Sequence, residues 1–316
     1  MKRTSILVLL AAAIASPLAA QHEHGAMHHA DAAASARDSA ELRAQIEAVR
    51  AATARYRDHA NAVRDGYKRF GQEGPLMGEH WYRRDLVTQP LDLRRPSTLQ
   101  YADVGGRKVL VGVAYTVYRR PGEPVPEGFA GASDHWHTHD VVRLAQAATA
   151  ERPFVRWLVQ RRIDRGKVGP GGGRTLLTMV HAWIWLDNPE GMFAQEHLAL
   201  PYLRAGLPTS WASSAAAAQG VQLLVSGACQ AEVGRTDKLA RIDGGQERLL
   251  AAACEQEAAQ VRAALDRHQD AATVNAAAER AWTGYEAARA RILQPDQLAR
   301  MQRIMGAAME HEMVGM

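Results

Sequence analysis

The sequence predicts an α+β fold, with a β-rich middle domain preceded by a long amphipathic helix and followed by a disulfide-stapled helical domain. Three observations carry that prediction. Apolar residues recur at alternating steps of four and three from Leu42 to Phe70. From about Pro75 to Pro201, β-branched and aromatic runs alternate with Gly- and Pro-rich loops. Beyond Pro208 the composition turns to Ala, Glu, Gln and Arg, and aromatic residues thin out.

The elements follow in chain order. Lys2 and Arg3, the apolar run Ile6 to Ile14, and the small residues Ala15, Ser16, Ala19 and Ala20 read as a signal peptide over residues 1–20. The run is too short to span a membrane, and the expected address is a bacterial periplasm. Residues 21–38 begin with His22, His24, Met27, His28 and His29 and continue Ala-rich, which reads as a disordered His-rich arm. Cleavage after Ala19 would leave Ala-Gln-His at the new terminus, a square-planar Cu(II) donor set. Residues 39–205 form the next unit. Its opening helix runs from Ser39, an N-cap candidate, along Leu42, Ile46, Val49, Thr53, Tyr56, Ala60, Val63, Tyr67 and Phe70 to Gly71 and Gly74-Pro75. His59 beside that stripe reads as structural or surface.

Thr98 to Tyr101 and Lys108 to Tyr118 predict a hairpin around residues 103–107. Loops are expected at Pro121 to Gly131 and Gly166 to Gly173, with helical or irregular stretches at Val141 to Ala150 and Pro153 to Arg162. Thr175 to Leu186 reads as a strand with Met179, His181, Trp183 and Trp185 on one face. Residues 206–316 predict helices at Ser213 to Gly234, Gln246 to Gln269, Ala271 to Ile292 and Pro295 to Glu312. Cys229 and Cys254 fall on adjacent helices and, as an isolated pair in an oxidising compartment, read as one disulfide.

Charge narrows the function classes. The formal net charge is +4, two units of which leave with Lys2 and Arg3. No basic run accompanies clustered aromatics, so nucleic acid is excluded as a partner, and no second apolar stretch offers a membrane span.

The chemistry concentrates in Asp134-His135-Trp136-His137-Thr138-His139-Asp140. In an extended segment the three imidazoles share a face. Alternate strand positions lie roughly 7 Å apart, so one ion takes two of them more readily than three. Together with Gly78-Glu79-His80-Trp81 and His181 they make a candidate metal site, with His80, His137, His139 and His181 as first-choice ligands and His135 next. Asp134, Asp140 and Glu79 are candidate ligands or acceptors for imidazole N–H groups. Trp81, Trp136, Trp183 and Trp185 are candidates for a dry wall. The competing reading is an exposed polar row plus a satisfied core histidine, and His197 is read that way outright. A cupin assignment fails, since no Glu closely follows the His-x-His pair and Pro189-Glu190-Gly191 leads to Met192, Phe193 and Ala194. His-Glu-x-x-His, Gly-x-Ser-x-Gly and phosphate-loop patterns are missing from the sequence.

Several strings carry a resemblance: Ala51 to Asp58, Asp65-Gly66-Tyr67, Met77 to Tyr82, Leu110 to Tyr115, and His181 to Phe193. Between Ala51 and Pro201 the chain resembles a family of uncharacterised secreted bacterial proteins, which implies export and brings no activity. The helical tail departs from that family's usual short ending. Leu293-Gln294-Pro295-Asp296-Gln297 is similar to the Leu-Thr-x-x-Gln signature of small helical periplasmic stress proteins, with Gln294 in place of Thr. Met301, Met305 and Met309 repeat at steps of four beside His311, Met313 and Met316, a pattern suited to Cu(I) or to an apolar helix face.

These features point to an exported transition-metal-binding protein that buffers or passes on its ion, copper ahead of zinc. The alternative is a metal-dependent enzyme with an open coordination position and Glu79 as general base. A third reading is a helical chaperone-like or interaction protein without metal.

Overall fold

A computed structural model describes residues 29–131, 134–165, 176–267 and 270–309. The signal peptide and His22, His24 and His28 lie outside the described residues, as do His311, Met313 and Met316. The architecture is α+β, one antiparallel sheet among many helices.

Helix α1 spans His29–Thr53, so the second half of the expected disordered arm is helical. Its alanines explain the difference, because Ala is the strongest helix former. Leu42, Ile46 and Val49 enter the sheet's core as the stripe predicts. The long helix then stops early. A 3₁₀ turn covers Ala54–Arg57, and the Asp58 carboxylate caps a separate α2, His59–Arg64, by accepting from Ala60 N–H. Lys68–Gly74 is not helix but the edge strand β1, and Phe70 stands 64% exposed. The apolar period continues through a change of structure that it does not encode.

Strand β2 (Gly78–Tyr82) is followed by the one-turn helix α3 (Arg84–Val87). β3 (Thr98–Val104) and β4 (Arg107–Arg119) form the expected hairpin. Gly105 and Gly106 sit at φ 59° and 84°, the left-handed region a tight hairpin turn demands. β5 covers only His137–Asp140. The helices α4 (Val141–Thr149) and α5 (Pro153–Asp164) then intervene before β6 (Leu176–Ala182). The sheet order is β1-β2-β3-β4-β6-β5, with antiparallel pairing throughout. One face carries Leu99, Tyr101, Val113, Tyr115, Val180 and Ala182 into the main core with α1. The histidines use the other face.

The tail contains α6 (Leu200–Ala205), α7 (Ala215–Gln222), α8 (Ala228–Ala240), α9 (Gly244–Arg267), α10 (Ala271–Ile292) and α11 (Pro295–Met309). The single helix expected from Ser213 to Gly234 is two, parted at Gly227, whose φ is 75°. Cys229 on α8 and Cys254 on α9 form the disulfide, with Cα atoms 5.6 Å apart. Apolar packing crosses residue 205: Leu76, Leu198 and Tyr202 pack with Ala218, Val221, Val261, Ala278 and Ala281. α11 lies against α4 and β5, where Arg300 and Arg303 both pair with Glu151. Among the described residues no helix is long and apolar enough to cross a membrane.

Candidate functional site

Register places the histidines. Residues paired across antiparallel strands share a face, so the pairs His80↔Gln100↔Gly112, Ala114↔His181, Met179↔His137 and Leu177↔His139 lie on one side of the sheet. Three strand spacings separate β2 from β6, about 14 Å in a flat sheet. Yet the rings of His80 and His181 lie 5.5 Å apart. They lean together across β3 and β4, where Gly112, lacking a Cβ, lets Gln100 Oε1 and the Trp183 ring come close to the sheet.

The cluster continues along the sheet. The rings of His181 and His137 are 5.2 Å apart, and those of His137 and His139 are 5.1 Å apart. Two imidazoles on one tetrahedral ion, with metal–nitrogen bonds near 2.1 Å, have ring centres about 5 Å apart. Each neighbouring pair in the row therefore has the spacing of two imidazoles on one ion. The nitrogens do not yet converge: among the described residues no three His, Cys, Asp or Glu side chains stand ready to clasp one. Rotation of the rings about their side-chain bonds is needed to aim them.

His181 is fully buried, and its Nδ1 lies 2.9 Å from the carbonyl oxygen of Gln195. Nδ1–H donates there, which leaves Nε2 with the lone pair, and that atom is buried without a hydrogen-bond partner. Burial, reinforced by His80 and His137, holds the His181 imidazolium pKa well below its usual value. Burial likewise pushes His80 down to about 4, opposed by a hydrogen bond to the Gly78 backbone. Both rings are therefore neutral near pH 7, the form that binds metal.

Other predicted residues go elsewhere. His135 is exposed beside Leu42 and Met192, away from the cluster. The chain is not extended there, since Trp136 N–H bonds back to the Asp134 carbonyl at 3.1 Å and the strand starts at His137. The Asp134 carboxylate accepts from Phe129 N–H and Trp136 Nε1–H, and Asp140 caps α4. Glu79 neighbours His80 in sequence but projects from the opposite face. There it accepts from Lys108 Nζ at 2.8 Å and Trp81 Nε1 at 3.0 Å and pairs with Arg69. A carboxylate so engaged, across the sheet from the imidazoles, is not placed to act as their general base.

Of the four tryptophans, Trp183 meets His181, at 5.6 Å between ring centres. Trp81 meets His59 edge to face across the sheet, Trp136 enters the core, and Trp185 donates to Thr53 Oγ1. His197 is a satisfied core histidine: Nδ1 accepts from Ala199 N–H and Nε2 faces the Leu186 carbonyl at 3.2 Å. On α11, Met301 is buried in the helical core while Met305 is 41% exposed, so these two do not form a shared sulfur site.

Sequence reasoning missed Gln100. It is fully buried on the histidine face, and neither its Oε1 nor its Nε2 has a hydrogen-bond partner. The signal was an amide inside the otherwise strand-forming Thr98-Leu99-Gln100-Tyr101.

No family model matches the chain, and neither the curated proteins nor the solved structures contain a match.

Proposed function

We propose that this chain is an exported, periplasmic protein that binds a transition metal through His80, His137, His139 and His181. The observation that carries the reading is the meeting of four imidazoles from three strands, with the buried His181 Nε2 unbonded while its Nδ1 is oriented by a backbone carbonyl. An all-imidazole set suits copper, zinc, nickel and iron. Copper stands ahead of zinc because Met179, paired with His137, adds a thioether to the same face and the N-terminal arm is His-rich.

One observation favours the metal-dependent enzyme over simple buffering. His137 and His181 are 4% and 0% exposed, which suits a retained ion better than rapid hand-over. In that reading Glu79 has no part as base.

The test is metal analysis of protein recovered from the periplasm after copper or zinc supplementation. The wild type and His135→Ala should carry about one ion per chain more than the His137→Ala/His139→Ala variant. Equal metal in the wild type and the double variant overturns the site, whether both are empty or both are loaded through the N-terminal arm.

A further inference from the structure

We propose that the histidine-bound ion also takes a small ligand on the side of β3, and that Gln100 hydrogen-bonds that ligand: water, hydroxide or a compact anion. This rests on the metal reading above and adds what the site takes besides metal.

Three observations place the ligand. Gln100 is 0% exposed, and both ends of its amide are unpartnered. Burying an amide with neither donor nor acceptor satisfied destabilises a fold, and a leucine of similar volume avoids the penalty. The amide also lies beside the imidazole cluster. Gln100 is the direct cross-strand neighbour of His80, and its Oε1 is 3.0 Å from where a Cβ on Gly112 would stand. That same point is 2.9 Å from the Trp183 ring, which abuts His181. Any side chain at Gly112 would press on both groups. Finally, the amide's chemistry suits a metal-bound oxygen or nitrogen. Nε2–H can donate to a bound anion or hydroxide, and Oε1 can accept from a bound water. Such a group differs from a fifth ligand, because removing it leaves the ion in place.

Azide and Co(II), a spectroscopic substitute for copper or zinc, make the test. Wild type, Gln100→Leu and Gln100→Met are loaded with Co(II), titrated with azide and followed by the visible spectrum. Thermal unfolding of the metal-free proteins is measured in parallel. The expected result is the same Co(II) content in all three and azide binding weakened roughly tenfold in both variants. The metal-free variants should melt a few degrees higher, since each loses an unsatisfied buried amide. Unchanged azide affinity overturns the proposal while leaving the metal site standing. Loss of Co(II) from the variants overturns it by making Gln100 a ligand. A lower melting temperature overturns it by showing that the amide is partnered within the fold. Failure of the wild type to take up Co(II) defeats the metal reading itself, and this proposal with it.

Discussion

His197 and His181 are both withdrawn from solvent, yet their ring nitrogens meet different surroundings. His197 has a backbone partner at each nitrogen, whereas His181 has one at Nδ1 and none at Nε2. Burial depresses the His197 pKa to about 4, against hydrogen bonds and Asp187, which act to raise it. The unfolded chain therefore binds a proton here near pH 5 that the folded chain does not. Stability from this residue is complete above the unfolded value near 6.5 and is lost as pH falls towards 4, by up to about 3 kcal/mol. Urea unfolding at pH 7 and pH 5 should show the loss, and His197→Gln should reduce the difference between the two. An equal difference in the variant would remove His197 from the account. Residue types and spacing pointed to histidines that the sheet brings together, because His80, His137, His139 and His181 all lie on strands. His135 and Glu79 were misplaced because a turn at Asp134 and the alternation of a strand decide which side each occupies, and neither is carried by residue type.

Helices were legible where the period, the cap and the stop agree. α10 and α11 begin where Ala271 and Pro295 predict. The helix expected from Ser39 to Phe70 failed because its stripe ran smoothly across Asp58, a residue that caps a new helix instead of continuing the old one. The disulfide joins α8 to α9 and closes a loop of 25 residues, which in the chain-entropy account stabilises by about 3.5 kcal/mol. Replacing Cys229 and Cys254 with Ser should lower the urea midpoint accordingly. It should leave metal uptake unchanged at low denaturant, because the bridge lies in the helical core and not on the sheet. Loss of metal from the folded double variant would show that the two regions are coupled more tightly than their packing implies.

At the scale of the molecule, the α+β class was readable from the apolar periods, the strand-forming runs and the Ala-rich tail. The sheet order was not, because it places β6 between β4 and β5 through an excursion of two helices. Pairings of that kind depend on tertiary packing, and they decide that His181 sits between His80 and His137. The order also has a kinetic consequence. β5 has four residues and pairs with β6 alone, whereas β6 is hydrogen-bonded on both sides. Backbone amides of residues 137–140 should exchange with deuterium at least tenfold faster than those of residues 178–181, as expected when edge segments open without global unfolding. Equal protection would show that α11 pins the edge. One half of the imidazole cluster is thus built into the sheet's interior, and the other half stands on its short edge strand, where protection from exchange rests on a single neighbour.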